Sequence, residues 1–318
     1  MPQYPLGLII ERLRPRPFSV PAVAVITRRA IDFSRPFFPV HLTPLAHVPS
    51  WGLLDKCHQL RYSQLYALYL NEQTAFFEEL LATNLLPALY HRPDRIGEDL
   101  AADLRTFEAE ERRHSRWFRE LNHQVDPSRF RLEEGHYIFI PTDARMRAVS
   151  TWLARRPFAF PCWIPLMLLQ EERSISVAQE CLKAKNQLEP SFYQLHRKHL
   201  ADEIDHVRWD LKLIERVWLP LPIWKRRIHA RLFGRMMSEF FTTPKRAGKA
   251  VLQALIDEFP DLKSCSIQLH HELSELATSR AYHASLYSRE ITPRGFALFD
   301  ELPEFHHLGR YLLAYERP

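Results

Sequence analysis

The sequence predicts an all-α protein: a four-helix bundle core with additional C-terminal helices and an extended N-terminal arm. Three observations predict it. Apolar residues recur at helical spacing through most of the 318-residue chain. Only 8 glycines interrupt that spacing, while 46% of residues are hydrophobic, enough for one sizeable core. Four long helical stretches also fall in two consecutive pairs, which suits a bundle with a crossover between the pairs.

Residues 1–50 hold nine of the 24 prolines, together with apolar pieces such as VPAVAVI and RPFFPVHL. That mixture predicts an extended arm, residues 1–55, wrapped on a core. A single helical domain over 56–290 follows. Its first long helix spans about 63–90. The second opens at Pro93-Asp94 and runs to about 122. Residues 124–142 read as irregular or as a short hairpin, and 143–156 as a short helix. The third long helix spans about 161–186. The fourth opens at Glu189-Pro190, with proline in the first turn, and ends near 218. Further helices are expected at 222–241, 245–258 and 261–290. Residues 291–318 read as a tail with one short helix, packed on the domain.

A net charge of +5 and a pI near 9.0 make the chain mildly basic. Its local clusters, Arg112-Arg113 and Lys225-Arg226-Arg227, sit inside helical patterns and read as solvated faces. No nucleic-acid partner is expected. The longest apolar run, FAFPCWIPLMLL at 158–169, is short and carries two prolines, so no membrane partner is expected either. Four scattered cysteines without a CxxC fit a reduced, cytoplasmic protein. The N-terminal LGLII is followed at once by Glu11 and Arg12, so no signal peptide is expected.

The chemistry concentrates in HLADEIDH, residues 199–206. His199, Glu203 and His206 stand at i, i+4 and i+7, within roughly 60° of one another on a helix. Glu-x-x-His aims a carboxylate and an imidazole in one direction. Two such pairs, plus one Glu from each of two other helices, make a dinuclear iron or manganese site in a bundle. The chain has five such pairs: Glu111/His114, Glu120/His123, Glu133/His136, Glu203/His206 and Glu304/His307. Only the first and fourth lie inside long helices, on otherwise apolar stripes where an unpartnered Glu or His would be costly. The third crosses Gly135, the fifth lies in a proline-flanked tail, and the second sits at a fraying helix end. The missing carboxylates should come from the helix preceding each pair. Glu78 is the choice on the first helix, with Glu72 and Glu79 as competitors. On the third helix either Glu171 or Glu172 serves, and periodicity alone slightly prefers Glu171, whose face holds Ile164, Met167, Leu168, Ile175 and Ala178.

Over roughly residues 60–215 the chain resembles the ferritin-like di-iron N-oxygenases typified by p-aminobenzoate N-oxygenase. HLADEIDH carries the resemblance, because that family places a third His four residues before its second Glu-x-x-His pair. EAEERRHSRWF supplies the first pair, and NEQTAFFEELL the first Glu. Counting back without gaps from Pro190 and His199 puts the remaining ligand on Glu172. The resemblance therefore implies a ferritin-like bundle with the metal ligands Glu78, Glu111, His114, Glu172, His199, Glu203 and His206. It implies two iron ions, with manganese as the alternative metal, and O2 as co-substrate. It implies oxygenation of a small-molecule substrate, most simply an arylamine-type nitrogen in a biosynthetic pathway. An external electron donor and a homodimer are the expected partners, and the basic surface would suit an acidic carrier protein if the substrate is carrier-bound. Asp202, Asp205 and Asp210 are candidates to orient the imidazoles, and their alternative is an exposed face. Phe76, Phe77, Phe107 and Phe118 read as core packing before substrate contacts. Competing classes are a C–H hydroxylase or desaturase, a non-catalytic ferritin-like iron protein, and a metal-free helical interaction protein. A third imidazole disfavours iron storage.

Overall fold

The computed structural model describes residues 30–133, 135–140, 144–242 and 246–316. The first 29 residues of the expected arm lie outside that range. Helix α1 (Lys56–Leu80) starts earlier than periodicity suggests, because its first two turns, KCHQLRY, are largely polar and carry no apolar stripe. It runs on through a π turn at Leu81–Leu85 into Leu86–Tyr90. Pro87 lacks an N–H and its ring crowds the preceding turn, and the widened turn accommodates it. The second long helix does not begin at Pro93. A single turn, Pro93–Ile96, is separated from α2 (Glu98–Val125) by Gly97 at φ +85°, a left-handed conformation that suits glycine.

Helix α3 spans Ala144–Ala154, α4 Trp163–Lys183 and α5 Pro190–Leu213. The Glu189 carboxylate starts α5 by accepting from the backbone N–H groups of Ser191 (2.6 Å) and Phe192 (3.0 Å). A π turn at Ile214–Trp218 extends α5 up to the proline-rich segment that follows. Then come α6 (Ile223–Phe240), α7 (Arg246–Glu258), α8 (Ser266–Glu275), α9 (Arg280–Leu286) and α10 (Pro293–Glu301). The expected helix at 261–290 is thus divided. Pro260 favours a 3₁₀ stretch, and Ser279 caps a new helix through the Tyr282 N–H.

The architecture is the all-α, ferritin-like bundle. Helix α1 pairs with α2, α4 pairs with α5, and α2 packs on α5 between the two hairpins. A buried amide pair locks the first hairpin: Asn71 Nδ2 donates to Asn122 Oδ1, and Asn122 Nδ2 donates to the Leu68 carbonyl, both at 2.8 Å. No strand occurs among the described residues. Instead of a hairpin, the segment after α2 is pinned by buried Glu72, which accepts from the N–H groups of Ile138 and Phe139 at 2.7 Å each. Ahead of α1, the residues from 30 onward make 3₁₀ turns on the bundle, with Phe37 stacked on Phe192 at 4.3 Å. Helix α10 packs on α4, and no described helix is long and apolar enough to cross a membrane.

Candidate metal centre

The four long helices bring seven ligand-type side chains to one buried place. Helix α1 supplies Glu78, α2 supplies Glu111 and His114, α4 supplies Glu171, and α5 supplies His199, Glu203 and His206. None is more than 5% exposed. Glu203 is central: its Oε1 lies 3.0 Å from His199 Nε2, 3.4 Å from His206 Nδ1 and 3.8 Å from His114 Nδ1. Glu111 Oε1 is 3.3 Å from His206 Nδ1 and 3.6 Å from His114 Nδ1. Glu78 Oε1 is 2.9 Å from His199 Nε2, and Glu171 Oε2 is 3.5 Å from His206 Nδ1. The helical periodicity of α2 and α5 creates this meeting, because each apolar stripe that seeks the core carries its Glu and His with it.

Each imidazole is held from behind, which leaves its inner nitrogen facing the carboxylates. His114 Nε2 lies 2.8 Å from Asp202 Oδ2, His206 Nε2 lies 3.1 Å from Glu110 Oε2, and His199 Nδ1 lies 3.2 Å from Ser174 Oγ. A carboxylate or hydroxyl behind a ligating histidine fixes ring orientation and tautomer. His114 and Arg113 together hold Asp202 at about 2, against the opposing effect of its burial.

The inner atoms lack partners. Both oxygens of Glu111 and of Glu203, Glu78 Oε2, His114 Nδ1 and His206 Nδ1 are fully buried and make no hydrogen bond. So many orphaned polar atoms pointing at one another are costly unless a cation satisfies them. The proton affinities carry the same strain. Burial pushes the carboxyl of Glu111 up to about 7 and that of Glu171 up to about 8, and it raises Glu78 as well. Burial acts the same way on Glu203, but Glu171 and His206 beside it keep it below its ordinary value. Burial drives His199 down to about 4, whereas the carboxylates of Glu110, Glu171 and Glu203 outweigh burial at His206 and raise it. Among the described residues, two overlapping sets have ligand atoms within 4.8 Å of one another: Glu111, His114, Glu203 and His206, and Glu78, His114 and His199. Hard carboxylate oxygens mixed with imidazole nitrogens suit iron or manganese. A third set, Asp55, Cys57 and His58 at the start of α1, is mostly exposed.

A sequence profile of the family described as p-aminobenzoate N-oxygenase AurF matches residues 27–286, most of the chain. The chain belongs to the p-aminobenzoate N-oxygenase AurF family. No curated protein matches it. The AurF family is one of di-iron oxygenases, and the buried cluster is where this member could hold metal.

One expectation needs correction. Glu172, reached by ungapped counting, does not face the cluster of this AurF-family chain. Its oxygens accept from the backbone N–H groups of Arg294 (2.9 Å) and Gly295 (2.8 Å) and pair with the Arg294 guanidinium (3.2 Å). It holds the start of α10, and Glu171, which the helical face preferred, takes the place at the cluster. Adjacent helix positions differ by about 100°, so a single-residue shift in the loop before α5 is enough to exchange the two.

The remaining candidates separate cleanly. His123 and His136 bond to the Phe130 and Arg129 carbonyls, and Glu304 accepts from Trp218 Nε1 and pairs with Arg226, all away from the cluster. Asp202 does support an imidazole, whereas Asp205 is exposed and pairs with Arg208. Asp210 is fully buried below His206 on α5, with both oxygens unpartnered. Sequence reasoning missed Glu110 and Ser174. Each lies beside a named Glu, at 111 and near 171, on the rim of the same helical face, and that adjacency was the available signal.

A cavity of about 80 Å³ adjoins Glu78, Glu171, His199 and Glu203. It has room for several waters, each needing roughly 10–15 Å³ by this measure. Phe77 and Phe118 line it, together with Gln170 and Arg173. Phe107 instead stacks on His206 at 4.0 Å, and Phe76 packs edge-on against Tyr137 at 5.5 Å.

Proposed function

We propose that this chain is a di-iron oxygenase that adds oxygen from O2 to the nitrogen of an amine. Glu78, Glu111, Glu171 and Glu203 would hold the metals through oxygen, and His114, His199 and His206 through nitrogen. The observation that carries the reading is His199, a third imidazole placed between Glu78 and Glu203 with its far nitrogen held by Ser174. Bound iron supplies the redox chemistry of O2 that no side chain can perform. The protein's own part is to orient three imidazoles, to cover His206 and His199 with the rings of Phe107 and Phe118, and to hold protons on Glu111 and Glu171 that metal binding releases.

Arg173 supports a narrower substrate class, an arylamine that also bears a carboxylate. Its guanidinium lines the cavity, donates to Tyr287 Oη at 3.4 Å and lies against that ring. No carboxylate among the described residues pairs with it. A half-buried guanidinium on the cavity wall without an anion favours a ligand that supplies one, since planar guanidinium and carboxylate pair bidentately. The test is metal analysis after expression in iron-replete medium, followed by product analysis on a panel of amines. About two irons per chain are expected, with oxidation of aminobenzoates preferred over aniline. Arg173→Met should raise KM for the aminobenzoates and leave aniline unaffected. A protein that binds no transition metal, or that oxidises none of the amines, overturns the reading.

A further inference from the structure

The cluster approaches the surface closely on the outer side of α2 and α5. Trp117 is half-buried there, with its ring centroid 5.4 Å from that of His114. Two cations flank the indole: Arg113 at 5.3 Å and Lys198 at 5.0 Å from its centroid. Arg113 also reaches Asp202 at 2.8 Å, and Asp202 in turn contacts His114 Nε2 at 2.8 Å. A ring contact and a chain of polar contacts thus both lead from this surface to one imidazole of the cluster. Beside Trp117 lies a groove of about 450 Å³ whose lining includes Leu121, Leu132, Leu195 and Lys198. Leu132 is 48% exposed, an apolar contact point next to a polar rim. Lys198 in the groove, exposed Arg116 one residue before Trp117 and exposed Arg131 one residue before Leu132 have no carboxylate partner among the described residues, against Glu120 in the groove and exposed Glu133 one residue after Leu132. The chain as a whole carries +5.

We propose that this face is the docking site of a small acidic one-electron carrier protein, of iron–sulfur or flavin type, and that electrons reach the metal pair through Trp117 and His114. The proposal rests on the oxygenase reading, because only a redox metal centre needs a donor. Each encounter would pass one electron from the carrier, which is oxidised, to a ferric ion held by the cluster, so two encounters would be needed to reduce a pair of irons. The free cations steer an acidic partner, the groove gives it an apolar foothold, and the imidazole route sets where it must sit.

The test uses an acidic plant-type [2Fe–2S] ferredoxin as the probe and reduced methyl viologen as a small reductant without docking needs. Binding is measured by calorimetry at low and high salt. Anaerobic reduction of the iron-loaded protein is followed by stopped-flow absorbance. The double variant R116E/K198E should bind ferredoxin about tenfold more weakly at low salt and lose most of the salt dependence. It should keep its iron and be reduced by methyl viologen at the wild-type rate. Trp117→Leu should bind ferredoxin within about twofold of wild type, because it keeps both cations, yet accept electrons from it at least several-fold more slowly. Wild-type protein that shows no salt-dependent ferredoxin binding, or variants reduced by ferredoxin as fast as wild type, would overturn the docking site. Absence of iron, or of any centre reducible by methyl viologen, would instead overturn the oxygenase reading beneath it.

Discussion

Glu171 and Glu172 are neighbours on one helix, and both are buried, at 5% and 2% exposure. They do opposite things. Two backbone N–H groups and a guanidinium satisfy Glu172, and its carboxylate joins α10 to α4. Gly295 permits that approach, since a Cβ there would lie 2.6 Å from Leu169 Cδ2. Glu171 faces three other buried carboxylates, and burial holds its proton up to about 8. The same contrast runs through the molecule. Glu72 and Glu189 end on backbone N–H groups and fix segments, while Glu111 and Glu203 make no hydrogen bond and face only the imidazoles and carboxylates of the cluster. Burial alone therefore does not mark a functional carboxylate; burial without a donor does.

The sharpest way to break this contrast is to neutralise each neighbour in turn. Glu171→Gln and Glu203→Gln should lose most bound iron by metal analysis while the metal-free protein keeps its helical circular dichroism. Glu172→Gln should keep its iron. Iron loss from Glu172→Gln with retention in Glu171→Gln would reverse the assignment.

The second test is pH. Between about 6.5 and 8 the carboxyls of Glu111 and Glu171 still bind protons in the folded metal-free protein but not in the unfolded chain. Stability of the metal-free protein should therefore fall as pH rises through that window, and the raised His206 adds in the same direction. The lowered His199 and His196 act oppositely, but only below about 6.5, where the unfolded chain protonates them. Iron or manganese should remove the fall and raise Tm, since metal displaces those protons and binds only the folded state. Urea titrations at several pH values with and without metal check this, and a rise in metal-free stability from pH 6.5 to 8 would contradict it.

Smaller effects follow at the supporting residues. Asp202→Asn should weaken metal affinity by about 10- to 100-fold without unfolding the protein, as measured by competition with a chelator. Glu172→Gln should cost about 1–3 kcal/mol of stability through the N–H groups it leaves poorly satisfied, and chemical denaturation would report it. A Glu172 variant as stable as wild type would remove the structural half of the comparison.

The helical class and the long helices are legible in the local sequence, and so is the placing of several Glu and His side chains on apolar faces. Helical period places Glu111 with His114, and His199 with Glu203 and His206, on apolar faces, and such faces must turn inward whatever their partners are. Periodicity also leaned to Glu171, on the side where the structure places the cluster. What the sequence could not decide was where each buried polar group ends. Glu172 turns away because α10, more than a hundred residues later, offers it two N–H groups, and no local pattern announces that meeting. Gly97 breaks a helix that looked continuous, and Ser279 divides another, because local caps compete with apolar period. Glu110 and Ser174 became supports for the imidazoles only once α2, α4 and α5 were packed. A side chain's identity and period are local properties, but the donor that satisfies it or leaves it orphaned belongs to another part of the chain.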